Sequence, residues 1–249
     1  MNVLLGAFKD RQLEVETYID FLQSLEDQAR DGPPKLEGAE QPISAQQQKI
    51  LYSSVYLQLY NLVESTITRC IDAVAIAATD NGVFQVRELN DSLRSEWVRS
   101  MARTNVDLNL ENRFKAALEL CNHLIESRPV TTLSIEKGGG GNWDDSEIEH
   151  IIKRIGFTLN VSKSAYSGVK RPLKDGKGSL ELVKQLRNNL AHGSISFTEC
   201  GDGVTVSDLR SLKDNTVNFL QEVVENFVLH LERFEFLIPE RRPVKFKGE

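Results

Sequence analysis

The feature that most limits what this chain can fold into is a stretch from about Ser44 to Thr79 that holds neither proline nor glycine. Ile50, Leu51, Val55, Leu59, Leu62, Val63, Thr66, Ile67, Cys70, Ile71, Val74 and Ala78 recur through it every three or four residues. That spacing lines side chains up along an α-helix and is incompatible with the strict alternation of a strand. The apolar surface is wider than a single stripe, so such a helix needs neighbours on more than one side, as at the centre of a helical bundle.

The remaining sequence supplies those neighbours. Phe8, Val15, Ile19, Leu22 and Leu25 mark a first helix, stopped at Asp31-Gly32-Pro33-Pro34 because proline cannot continue a helix and disfavours it in the preceding residue. The expected organisation is one domain over 1–249, with an N-terminal helix (1–30), a linker (31–44) and a bundle core (45–240). Asn81-Gly82 closes the central helix, and two more follow, about Asp91 to Arg103 and Leu110 to Ser127, the second closed by Pro129. Asp144 and Glu147 have capping-box spacing and open a short helix carrying Ile148, Ile151, Ile152 and Ile155. After a basic, glycine-punctuated loop, Ser179 is expected to cap a helix through Leu182, Val183, Leu186 and Leu190 that runs into Gly193. Ile195 and Phe197 alternate, as do Val204 and Val206 beyond Gly201-Asp202-Gly203, which predicts a small β-hairpin. Ser207 or Asp208 then caps a final long helix ended by Pro239. The fold class is therefore mainly α, a bundle with a small β-hairpin before the C-terminal helix.

Composition narrows the function. No run approaches the length of apolar sequence needed for a membrane span, and Met1 to Lys9 lacks the pattern of a secretory leader, so a soluble, cytoplasmic protein is expected. Cys70, Cys121 and Cys200 are odd in number and widely spaced, and they read as reduced, packed thiols. Neither the Gly138–Gly141 run nor Gly176-Lys177-Gly178-Ser179 matches the order of a phosphate-binding loop. His123, His150 and His230 stand alone on separate helices and read as structural, and no set of metal ligands or cofactor motif emerges. Tyr52, Tyr56 and Tyr60 form an i, i+4, i+8 stripe that reads as core or dimer packing before RNA stacking.

The formal net charge is −6, which argues against a protein that coats nucleic acid. Locally the balance reverses. Lys163, Lys170, Arg171, Lys174, Lys177, Lys184 and Arg187 face only Asp175 and Glu181 between Val161 and His192. A solvated basic loop is one reading and an anionic ligand is the other.

That stretch ends in Leu186-Arg187-Asn188-Asn189-Leu190-Ala191-His192-Gly193. Val183, Leu186 and Leu190 share one helix face, and Asn188 and His192 share the opposite side. Arg187 and His192 lie about 140° apart on an ideal helix, so they can address one phosphate only if the helix ends near the histidine, or if two chains contribute. Gly193 supplies an end. Histidine transfers protons near neutrality, and arginine offers a charged fork to two phosphate oxygens, a pair suited to metal-independent RNA transesterification. Asn188 is placed to fix the imidazole tautomer. A surface ion pair of Arg187 with Glu181 or Glu222, and a helix-terminal His192 stabilised by the dipole, form the bland alternative.

Arg187-Asn188-Asn189-Leu190-Ala191-His192 resembles the Arg-x4-6-His motif of the HEPN superfamily, with a polar residue after the arginine, a glycine after the histidine and a long helix following. On pattern the resemblance covers Ile43 to Phe236. It implies an α-helical homodimer in which two motifs face each other, with Arg187, Asn188 and His192 as catalytic residues and Lys170, Arg171, Lys174, Lys177, Lys184 and Asn189 as RNA contacts. It further implies cleavage to a 2′,3′-cyclic phosphate, as in prokaryotic toxin–antitoxin or antiviral defence ribonucleases held in check by a partner. Some family toxins carry a modifiable tyrosine two residues after the histidine; Ser194 stands there, so the resemblance does not extend to that control. A non-catalytic HEPN-like module that dimerises or binds nucleotides or RNA is the second function class.

Overall fold

The computed structural model describes residues 2–103, 109–137 and 142–243. The Gly138–Gly141 run lies outside the described residues. Nine α-helices stand among the described residues: α1 (Asn2–Gln28), α2 (Ala45–Thr79), α3 (Asp91–Arg103), α4 (Leu110–Ile125), α5 (Asp145–Ile155), α6 (Lys163–Lys170), α7 (Ser179–Ala191), α8 (Phe197–Cys200) and α9 (Val206–Glu232). Helices α1, α7, α8 and α9 all pack on α2, α6 packs on α9 and α7, and α3 packs on α5.

Helix α2 begins where its sequence says it should. The Ser44 side chain accepts from the Gln47 amide, the Gln47 side chain returns to the Ser44 amide, and these two bonds satisfy two donors that a helix start leaves open. Val55, Leu59, Ile67, Ile71, Val74 and Ala78 are fully buried. Helix α1 buries the five apolar residues expected of it, Phe8, Val15, Ile19, Leu22 and Leu25, and is thereby part of the same core. On its other flank Glu16 receives Arg210 at 2.9 Å and the buried Lys213, both from α9.

The expected hairpin is absent. Residues 197–200 form the short helix α8 and Val206 starts α9, because two capping boxes outcompete the alternation: Ser196 with Glu199, and Thr205 with Asp208. Thr205, not Ser207 or Asp208, is thus the cap of α9. Among the described residues β pairing is confined to two isolated bridges, Gln85 with Pro129 and Leu89 with Leu237. The basic loop also holds more structure than expected, since Ser162 caps α6. The cap of α7 is Gly178 and not Ser179. A Cβ on Gly178 would lie 2.2 Å from the Val169 carbonyl oxygen, so only glycine lets α6 turn tightly into α7. Cys70 and Cys200 are buried free thiols, with burial pushing the Cys70 thiol up to about 12; Cys121 is exposed, contrary to the expectation of a packed thiol.

Helices α3 and α5 are joined by a buried charge. The Glu96 carboxylate, fully inaccessible, accepts both prongs of the Arg154 guanidinium at 3.0 and 2.7 Å and also pairs with Arg99. Burial pushes its pKa up, but the two arginines outweigh burial and hold the carboxyl below the usual range. Glu96→Gln leaves Arg154 without its counter-charge and is expected to cost about 3–5 kcal/mol in chemical denaturation. Because the folded pKa is depressed, the stability Glu96 contributes is complete above the ordinary carboxylate range and is lost as pH falls through the folded value. Wild-type stability should therefore decline in acid more steeply than that of Glu96→Gln.

Candidate functional site around Arg187

Helix α7 is amphipathic as its sequence indicates, with Leu182, Val183, Leu186 and Leu190 buried against the core. Arg187 stands at the edge of that face. Its guanidinium carbon lies 3.8 Å above the ring centroid of Tyr60, on α2. One amino group donates to Asn188 Oδ1 at 2.7 Å and the other reaches Glu64 Oε2 at 3.5 Å. The side chain remains 24% exposed, so a planar cation is held on an aromatic face and stays partly open to solvent. The ion-pair partner is Glu64, not Glu181 or Glu222; Glu222 instead binds Ser162.

Tyr60 is itself held. Its hydroxyl accepts the backbone N–H of Trp143 at 3.2 Å, and burial raises the phenol pKa, partly offset by Trp143 and Arg187. Trp143 is buried and leads directly into Asp144, the N-cap of α5. Asp144 receives the Lys184 ammonium from α7, three residues before Arg187. Burial pushes the Asp144 carboxyl up, but Lys184 and the Glu147 amide prevail and keep it below the ordinary range. Asn188 completes the cluster by donating to Asn142 Oδ1 at 2.8 Å. Both ends of the Asn188 amide are thereby committed to Arg187 and Asn142, so this side chain does not orient the His192 imidazole, the role expected of it.

His192 is the C-cap of α7, with its backbone N–H still bonded to the Asn188 carbonyl at 2.9 Å. Gly193 follows at φ 70°, the left-handed conformation expected of it. Ser194 N–H then reaches the Asn189 carbonyl at 2.8 Å and Gly193 N–H the Leu190 carbonyl at 3.3 Å, the two bonds of a Schellman closure. The imidazole is exposed and, among the described residues, has no side-chain hydrogen bond. Within one chain the Arg187 and Asn188 side chains are hydrogen-bonded, while the His192 side chain bonds to neither.

The expected RNA contacts divide in the same way. Lys170 pairs with Asp145 and Lys184 with Asp144, so both fasten the start of α5. Arg171 and Lys174 are exposed on a tight turn closed by Lys177 N–H to Lys174 O at 3.0 Å, and Lys177 is half-buried. The half-buried Asn189 holds the Schellman closure through its carbonyl. Of the lone histidines, His123 lies tilted against Trp97 and His230 is buried and stacked on Phe157 beside Glu235, while His150 is exposed. Among the described residues no group of three or more His, Cys, Asp or Glu is placed to hold a metal ion. Tyr60, Glu64 and Asn142 were not singled out for this site: the tyrosine stripe signals packing, and a lone glutamate or asparagine carries no pattern.

The family model described as MAE_28990/-like HEPN matches residues 2–236. The chain belongs to the HEPN superfamily. The match takes in α1 as well as the Ile43 to Phe236 region, in keeping with the burial of α1 in the common core. No curated protein and no solved structure matches the chain significantly. HEPN membership marks a nuclease-type or RNA-related module, and among the described residues no helix is long and apolar enough to cross a membrane.

Tyr60 offers the sharpest test of how this HEPN site is built. Tyr60→Phe keeps the aromatic face beneath Arg187 but leaves the buried Trp143 N–H unpaired, and should cost about 1–3 kcal/mol in denaturant titration. At the helix end, a Cβ on Gly193 meets nothing within 4 Å, so Gly193→Ala should cost only the left-handed backbone penalty of about 1–2 kcal/mol. Gly193→Asn, which tolerates that conformation, should recover most of it.

Proposed function

We propose that this HEPN chain is a metal-independent endoribonuclease that works in the cytoplasm as a homodimer, as a toxin or an anti-phage, abortive-infection effector. The observation that carries the reading is the contrast within one motif: Arg187 is held by Tyr60 and Asn188 yet stays partly exposed, and the His192 imidazole is exposed and uncommitted. A fixed fork suits charge building on a phosphorane, and an uncommitted imidazole suits proton transfer.

In this mechanism an imidazole takes the proton of a ribose 2′-hydroxyl, and the 2′-oxygen attacks the adjacent phosphorus. Arg187 stabilises the non-bridging oxygens of the pentavalent state. The P–O5′ bond breaks, the 5′-oxygen leaves with a proton supplied by an imidazolium, and the products are a 2′,3′-cyclic phosphate and a 5′-hydroxyl. Two copies meeting at their α7 ends give both groups access to one phosphodiester without requiring the two side chains of one helix to converge. The exposed Arg171 and Lys174 supply further phosphate contacts, and a regulatory partner, such as an antitoxin, restrains cleavage.

One observation favours a second reading, in which the fold is a non-catalytic dimerisation or nucleotide- or RNA-binding module. Every contact of Arg187 with Tyr60, Asn188 and Glu64 is internal, as in an arginine that serves only to fasten α7 to α2. The two readings part in a cleavage assay with total RNA in EDTA. The nuclease reading expects fragments with cyclic phosphate ends, reduced about 10²- to 10⁴-fold in His192→Ala and about 10²- to 10³-fold in Arg187→Ala. The module reading expects no turnover, and a thermal destabilisation in Arg187→Ala that His192→Ala does not share. Fragments that persist equally in both variants would place the chemistry elsewhere.

A further inference from the structure

A groove of about 640 Å³ is walled by the segment 157–161, the outer face of α5 and the start of α6. Its lining includes Lys153, Lys163, Tyr166, Leu159, Thr158 and Glu149. Lys153 and Lys163 are exposed, and neither meets a carboxylate within ion-pair distance among the described residues. Tyr166 is 41% exposed, with the Lys170 ammonium 5.5 Å from its ring centroid. An exposed aromatic ring in one groove with unpaired ammonium groups is a combination that binds a single strand: the ring stacks a base and the lysines neutralise phosphates.

The segment forming the wall is fixed in place. Asn160 N–H donates to Asn226 Oδ1 at 3.0 Å, Asn226 Nδ2 donates back to the Asn160 carbonyl at 2.8 Å, and the Ser162 hydroxyl donates to Glu222 at 2.6 Å. These bonds anchor it to α9. The groove is also joined to the Arg187 cluster by consecutive contacts. Asn188 binds Asn142, Lys184 binds Asp144 two residues further on, the next residue Asp145 binds Lys170, and the Lys170 ammonium lies over Tyr166. Asp144 and Asp145 neutralise the two lysines along this path, which leaves Lys153 and Lys163 as its free cations.

We propose that this groove holds single-stranded RNA flanking the scissile phosphate, with Tyr166 stacking a base and Lys153 and Lys163 contacting the backbone. The inference deepens the endoribonuclease reading and rests on it for the direction of the strand, but binding is measurable without cleavage. The probe is a fluorescein-labelled 2′-O-methyl RNA of about twelve nucleotides, within the span such surfaces cover, which lacks the attacking hydroxyl. Its binding to the full chain is followed by anisotropy across a salt series. Tyr166→Ala is expected to weaken binding about ten-fold, with Tyr166→Phe close to wild type because it keeps the ring. Lys153→Ala/Lys163→Ala should lower the slope of log K against log salt by about 1.4, the loss of two phosphate contacts on a single strand. Unchanged affinity and slope in these variants would overturn the proposal. So would equal binding of duplex RNA, or displacement of the probe by polyglutamate as readily as by unlabelled strand, which would assign the groove to an acidic protein. If the groove variants lose binding while Arg187→Ala and His192→Ala cleave normally, the groove stands and the placement of the chemistry fails; the opposite pattern separates the two the other way.

Discussion

The stacking of a guanidinium on a buried phenol ties the working face of this bundle together. Tyr60 belongs to α2, the rod around which the other helices assemble, and almost none of it is exposed. Its ring carries Arg187 from α7, and its hydroxyl takes the Trp143 amide from the segment entering α5. Three segments distant in sequence are thus fixed by one side chain that is apolar on its faces and polar at its tip. A charged group at the edge of a core is tolerable only when its hydrogen bonds are met, and Asn188 and Glu64 meet them. Arg187 is thereby positioned by the core itself.

The same logic explains the use of charge elsewhere. Ion pairs also join helices that share the apolar core: Glu96 with Arg154 between α3 and α5, Asp144 with Lys184 between the start of α5 and α7, Glu16 with Lys213 and Arg210 between α1 and α9. Such pairs give orientation more than net stability, because the cost of desolvating them is large. The basic stretch from Lys163 to Arg187 is accordingly divided between structural cations, Lys170 and Lys184, and exposed ones outside any ion pair, Lys163, Arg171 and Lys174.

Periodicity made most of the bundle legible. The five apolar residues of α1, the apolar rod of α2 and the limits of α3 could be read directly, because long amphipathic segments leave a strong pattern. Short elements failed for a physical reason. Ile195, Phe197, Val204 and Val206 alternate like strand residues, yet four-residue windows cannot separate a strand from a capped turn of helix, and Ser196-x-x-Glu199 and Thr205-x-x-Asp208 decided the matter. The motif at Arg187 and His192 was visible as spacing and helix end, including the left-handed Gly193. What spacing could not convey is which side chain serves which. Asn188 turns to Arg187 and not to His192, and the aromatic platform comes from α2, more than a hundred residues earlier.

The central claim is that Arg187 and His192 address a single phosphodiester. Nuclear magnetic resonance titration of the full chain with a non-cleavable 2′-O-methyl dinucleotide tests it most directly, following the Arg187 Nε–H and the His192 ring proton resonances together. The account predicts that both shift along one binding isotherm, and that removing either side chain abolishes the response of the other. Movement of only one signal, or of the two along separate isotherms, would contradict it.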